Sequence, residues 1–140
     1  MRALLIKEIA ALVGPEHLLT APEDCWTYAY DATDQARMPE AVVFPGSAAE
    51  ISQILRLANE HRFPVTPRGA GSGRSGGAVP IAGGVVLVLT RLNRILEIAP
   101  ADLVAVVEPG VVLGRLKAAV AAQGLYYPPD PSSADFCTIG

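Results

Sequence analysis

The chain has 140 residues, 51% of them hydrophobic, and a formal net charge of −3. That size and apolar content give one ordinary domain with a real core and exclude a disordered chain. The mildly acidic balance excludes broad attraction to nucleic acid or to an anionic membrane, so any anion site is local.

Arg2 ahead of the apolar run Ala3 to Ile6 imitates the start of a signal peptide, but Lys7 and Glu8 interrupt it too early. Leu5, Ile9, Leu12 and Val13 recur at helical spacing, and Gly14 with Pro15 stops the pattern, so an amphipathic surface helix is expected. No apolar stretch reaches the ~20 residues a membrane span needs. A soluble, cytoplasmic protein is expected, with membrane-peripheral placement left to partner subunits. Cys25 and Cys137 lack metal-ligand spacing and read as small buried hydrophobes in a reducing compartment. His17 and His61 are isolated and read as structural, His61 near a helix C-terminus where the dipole favours a cation. Trp26, Tyr28 and Tyr30 alternate as in a half-buried strand or turn and read as packing groups.

Ala41 to Phe44 reads as a short buried strand. Ser47 with Glu50 forms a capping box that opens a helix through about His61, and Val65 to Arg68 returns as a strand. This order predicts a right-handed parallel crossover. Val85 to Thr90 is an uninterrupted run rich in valine and leucine, the pattern of a strand covered on both faces. Ile95 to Ala99 and Leu103 to Glu108 predict a hairpin, and Leu113 to about Gln123 a helix ended by Gly124. Loop-like chain follows through Tyr126 to Ser133, and the ending Thr138, Ile139, Gly140 looks interrupted, so a fragment is expected.

The chemistry concentrates after the second of these strands. PRGAGSGRSGGA, from Pro67 to Ala78, places five glycines and two arginines in twelve positions. Gly71, Gly73 and Gly76 satisfy the spacing G-x-G-x-x-G, but Gly76 leads into Gly77, Ala78, Val79 and Pro80 and then a strand, not into a helix. A Rossmann diphosphate turn is therefore not present, and no lysine follows where a P-loop requires one. Two readings remain. Glycines at positive φ or in close phosphate contact, Gly71 and Gly73 above all, let backbone N–H groups converge as an anion nest with Arg68 and Arg74 at its edges. Otherwise the stretch is a mobile hairpin connection, with Arg68 a surface charge ending a strand. Pro128, Pro129, Asp130 and Pro131 rigidify a second loop presenting Ser132, Ser133, Thr138 and Gly140. It suits a polar planar ligand, or equally an ordinary turn with Asp130 as a cap. Tyr126 and Tyr127 beside it are open to packing or to ligand contact.

The runs PVTPRGAGSGRSGGAVP, GGVVLVLTRLNRILEI, VVEPGV and GLYYPPDPSSADFCTIG extend the pattern from about Ala41 to Gly140. Together they resemble the N-terminal flavin-binding half of the vanillyl-alcohol-oxidase type (PCMH-type) flavoproteins, and within these the D-lactate dehydrogenase and glycolate oxidase group. The resemblance implies an α+β fold in which two subdomains grip FAD, the first with a small parallel sheet flanked by helices, the second antiparallel. The implied division is a lead-in over 1–40, the first subdomain over 41–108 and only the opening of the second over 109–140. The implied pyrophosphate site is Pro67, Arg68, Gly69, Ala70, Gly71, Ser72, Gly73, Arg74 and Ser75, with the flavin end toward Pro129, Asp130, Pro131, Ser132, Ser133, Thr138 and Gly140. Positions 69–77 contain no histidine, so noncovalent FAD is expected. The implied activity is FAD-dependent oxidation of a small 2-hydroxy acid of lactate or glycolate type, the substrate being held by a further domain. The alternative is a non-catalytic flavin- or nucleotide-binding module. Catalytic residues are not assignable from this stretch, no metal ligands or nucleic-acid partner are expected, and partner subunits or self-association through the apolar edge from Leu103 to Val112 are.

Overall fold

Why the glycine loop lies where it does follows from the order of the strands. A computed structural model describes residues 3–140; Arg2, at the head of the leader-like run, lies outside them. The first helix, α1 (Ala3–Val13), buries Leu5, Ile9 and Val13, as their spacing predicts. It ends where the Gly14 N–H donates to the Ala10 carbonyl and Gly14 takes up φ 91°. A 3-10 turn at Pro15–His17 leads to β1 (Leu18–Leu19) and a one-turn helix, α2 (Pro22–Trp26). Then come β2 (Ala41–Val43), α3 (Ala48–His61), β3 (Val65–Arg68), β4 (Val85–Val88), β5 (Ile95–Ala99), β6 (Val104–Val107) and α4 (Leu113–Ala121).

The main sheet has the order β1-β2-β4-β3, with β1 antiparallel to β2 and both β2 and β3 parallel to β4. The β2-α3-β3 crossover thus leaves a gap that β4 fills, with Ala41 and Val65 both in register with Val85. Strand alternation divides the core. On one face Ala41, Val43, Val85 and Leu87 pack with Leu5, Ile9, Val13 and Ile54 from α1 and α3. On the other, Val42, Val86 and Val88 pack with Cys25, Tyr28, Met38 and Phe44. Every residue of β4 is buried, as its unbroken apolar run implies, although the strand stops at Val88 and not at Thr90. Each such side chain contributes about 1.5–3 kcal/mol on leaving water.

The capping box before α3 is present in altered form. Ser47 Oγ accepts from the Glu50 N–H at 3.2 Å, but the Glu50 carboxylate reaches the Gly46 N–H at 2.8 Å in place of the N–H of Ser47 itself. His61 is the last residue of α3, and Arg62 closes it at φ 56°. The spacing of Trp26, Tyr28 and Tyr30 is a turn, not a strand: Trp26 ends α2, and Tyr30 forms an isolated bridge with Ala36. Cys25 is buried, whereas Cys137 is only half-buried, which corrects the expectation that both are; neither is in a disulfide.

Strands β5 and β6 form a separate antiparallel sheet, turned at Leu103 with φ 55°. Their inward residues Ile95, Ile98, Ala105 and Val107 pack on Val111, Leu116 and Val120 around α4, which ends two residues earlier than expected. This cluster runs across position 109. The chain then returns along Pro109 to Leu113: the Gly140 N–H donates to the Pro109 carbonyl, the Ile139 N–H to Val111, and the Leu113 N–H to Cys137.

Candidate functional site

The loop that follows Arg68 leaves from the C-terminal end of the parallel strands, the end at which open α/β sheets bind ligands. It forms a groove of about 280 Å³ lined by Pro67, Gly69, Ala70, Gly71, Ser72, Gly73, Gly77 and Ala78, and on the other side by Thr138, Ile139 and Gly140. Two stretches far apart in sequence are joined there. The Ala70 N–H donates to Thr138 Oγ1 at 3.1 Å, and that hydroxyl donates to the Gly140 carbonyl at 2.9 Å. Gly69 makes the approach possible, because a Cβ at this position would run into Thr138 Oγ1 and the Gly140 carbonyl.

The glycines differ in what requires them. Gly71 and Gly76 have φ of 71° and 78°, and a Cβ on Gly71 would collide with the Arg68 guanidinium. Gly73 has no positive φ, contrary to one half of the sequence expectation, and nothing lies within 4 Å of where its Cβ would stand. No contact within the chain requires a glycine there, and the space beside it is open. The N–H groups of Gly71, Ser72 and Gly73 donate to no acceptor among the described residues, so three successive donors line a glycine-walled groove. That is the lining an anion needs.

Arg68 is not the surface charge, or the charge at the rim of the nest, that its place in the sequence suggests. It is buried, its Nη1 donates to the Tyr30 carbonyl at 2.6 Å, and its guanidinium stands 5.6 Å from the centre of the Tyr28 ring. Burial lowers its pKa from the ordinary value, while Tyr28, Asp31 and Tyr30 oppose that shift. It backs the loop from behind. Arg74 and Ser75 are exposed and do not line the groove, and neither do Pro129, Asp130, Pro131, Ser132 or Ser133. Asp130 accepts from Lys117 Nζ at 2.6 Å and so ties its loop to α4. Tyr127 packs in the cluster around α4, and Tyr126 is exposed.

Asp31 is a residue that sequence patterns do not single out. It is buried; Oδ1 accepts from the Thr33 hydroxyl at 2.6 Å and from the Thr33 N–H at 2.9 Å, while Oδ2 has no partner. The Thr33 hydroxyl holds its pKa below the ordinary carboxylate value, helped by the Thr33 and Gly76 N–H groups and by Arg68, against the effect of burial. The only trace of this in the sequence is the local Asp-x-Thr pattern of a side-chain turn.

A larger cavity of about 510 Å³ opens at the opposite end of the sheet, lined by Glu8, Glu40, Glu60, His61, Arg62 and apolar neighbours. Three carboxylates line it, a poor setting for an anion, so size is the poorer guide. Among the described residues no group of three His, Cys, Asp or Glu side chains can hold a metal ion, and no helix is long and apolar enough to cross a membrane.

A small parallel sheet, helices on its faces and a donor-lined glycine groove at its C-terminal end define an α+β domain for a phosphate-bearing dinucleotide. Residues 39–140 match the FAD binding domain family, and the chain belongs to it. Over 135 residues it is 44% identical to the glycolate oxidase subunit GlcD of Bacillus subtilis (strain 168), covering 96% of this chain and 29% of that protein. It is 39% identical over 130 residues to the D-lactate dehydrogenase of Anaerostipes hadrus, covering 91% of this chain and 27% of that one. Among solved structures, 4-ethylphenol oxidase from Gulosibacter chungangensis superposes with a TM-score of 0.79 at 33% identity, covering 97% of this chain and 27% of that one. The chain thus spans less than a third of the length of these relatives. The cofactor of the family is FAD, and the free donors from Gly71 to Gly73 and the open space at Gly73 fit its diphosphate.

Proposed function

We propose that the chain anchors FAD in an oxidoreductase acting on a small 2-hydroxy acid of the lactate or glycolate type. The observation that carries this reading is the row of unpaired N–H groups at Gly71, Ser72 and Gly73 in a groove walled by glycine. Those donors take the diphosphate, with the Ser72 hydroxyl beside them. Thr138 and Gly140 close the groove from the other side, and the stretch from Pro129 to Ser133 serves the flavin end. When bound, FAD supplies the acceptor for the hydride equivalent that leaves the substrate carbon. The chain's own part is to hold the cofactor, keep the diphosphate on fixed backbone dipoles and leave the flavin ring directed at a substrate held elsewhere.

The choice of a 2-hydroxy acid rests on the names of the glycolate oxidase and D-lactate dehydrogenase relatives. The division into two subdomains near 108 and 109, a separate substrate domain and partner subunits belong to the same proposal. Noncovalent binding is part of the same proposal, supported by the absence of histidine from positions 69–77. Two measurements on the full natural chain test the reading. Acid precipitation is expected to leave all flavin in the supernatant. Anaerobic addition of D-lactate or glycolate is expected to bleach the flavin spectrum, and a spectrum unmoved by both would sink the substrate assignment.

A further inference from the structure

Asp31 and Arg68 are the buried charged side chains among the described residues, and neither lines the groove. A buried carboxylate is costly unless charge and hydrogen bonds compensate it. For Asp31 the compensation is one-sided, because Thr33 occupies Oδ1 twice and Oδ2 has no partner. A neutral amide would serve Thr33 equally well. What only the carboxylate supplies is negative charge.

That charge is felt by the loop. The segment from Tyr28 to Gln35 meets the loop at Gly73 and Gly76 and, through Arg68, backs Gly71. Behind Gly71 stands the Arg68 guanidinium, tied to the Tyr30 carbonyl and set over the Tyr28 ring. The Gly73 carbonyl accepts from the Ala32 N–H at 3.1 Å. Beside Gly76 lies the Gln35 side chain, 3.8 Å from where a Cβ would stand. The Gly76 N–H and Arg68 both favour the ionised form of Asp31, and Arg68 in turn is kept charged partly by Asp31.

We propose that Asp31 is the positioning residue of the diphosphate cradle: its buried charge sits between Tyr30, whose carbonyl takes the Arg68 guanidinium behind Gly71, and Ala32, whose N–H takes the Gly73 carbonyl, and so sets the loop from Gly71 to Gly76 for the anion without touching it. The inference rests on the reading of the groove as the FAD diphosphate site. It gives the lead-in a task in cofactor binding, beyond packing on the second face of the sheet.

The test is a flavin fluorescence titration of the full natural chain, freed of cofactor, in four forms. Asp31→Asn keeps the Oδ1 acceptor and removes the charge; it is expected to weaken FAD binding at least tenfold. Thr33→Val keeps the charge and removes the hydroxyl's hydrogen bonds to Asp31 Oδ1 and from the Gln35 N–H; it is expected to weaken binding less than threefold. Competition by ADP should weaken in step with FAD in Asp31→Asn, while riboflavin, which has no diphosphate, binds as in the parent; a general loosening of the fold would lower all three. Gly73→Val fills the groove at a position with open space and checks the underlying site.

If Gly73→Val destroys FAD binding and Asp31→Asn leaves it at the parental value, the role of Asp31 is overturned and the site stands. Parental affinity in both overturns the site, and the proposal with it. A loss in Thr33→Val as large as in Asp31→Asn makes the turn the cause and overturns the role of charge. Should Asp31→Asn not fold, the double variant Asp31→Asn with Arg68→Met removes both buried charges. The same tenfold loss is then expected, and parental affinity in that folded protein overturns the proposal.

Discussion

The sheet of β1 to β4 and the hairpin of β5 and β6 are made of similar residues and end in opposite conditions. In β4, VVLV is buried at every position because helices α1 and α3 cover one face and the α2 lead-in the other. In β6, VAVV alternates between outward and inward, so Val104 and Val106 face solvent. Leu103 and Tyr126 are 77% and 78% exposed, and an apolar groove of about 320 Å³ runs between the hairpin, Leu125 and Tyr127. A two-stranded sheet with one covered face is marginal alone. Valine content therefore says little about burial; the number of layers around a strand decides it.

The contrast can be broken by mutation. Ile54 is fully buried between α3 and the sheet. Ile54→Ala is expected to cost about 2–5 kcal/mol in urea unfolding, against about 0.5 kcal/mol or less for Val106→Ala on the open face. Equal costs would show that the hairpin is covered in solution. At the seam between the regions, Gly71→Val forces a side chain into positive φ and onto the Arg68 guanidinium. FAD affinity is expected to fall well over tenfold, more than about 1.4 kcal/mol, and titration of the FAD-free protein would reveal unchanged binding if the loop is only a connection.

The exposed edge should also act in association. For the 140-residue chain, sedimentation is expected to show concentration-dependent self-association that Leu103→Asp abolishes; identical profiles would remove the edge from consideration. The smallest effect concerns acid. Glu108 is held below the ordinary carboxylate pKa by its hydrogen bonds to the Arg94 side chain and N–H. A depressed folded pKa gives stability that is present above the unfolded value, about 4.3, and is lost as pH falls through the folded one. Amide protection in the hairpin should decline in that acid window and less so in Arg94→Gln. An identical decline in both proteins would assign the loss to other carboxylates.

Much of this was legible locally. The unbroken run of β4, the Ser47 and Glu50 cap and the failure of the glycine loop to open a helix are all near-neighbour patterns. The insertion of β4 between β2 and β3 was not, because pairing order leaves no periodic trace. A one-turn helix such as α2 is too short for periodicity, although Pro22, Glu23 and Asp24 mark its start. Arg68 departs from the rule that a charge at a strand end meets water, because a carbonyl 38 residues away turns it inward. The same distance hid Asp31, whose partners across the loop are set by the fold.

The hydrogen bond from Ala70 to Thr138 closes a loop of 68 residues. Closing it consumes chain entropy before any contact in the groove repays it, whereas β3 pairs with β4 over a much shorter separation, Val65 beside Val85. The order of events during folding is thereby constrained: the layered sheet condenses first, and the cofactor groove is stitched shut late, around a scaffold already in place. Pulsed hydrogen exchange during refolding should find Val86 protected before Ala70, and the reverse order would mean that the groove nucleates the sheet.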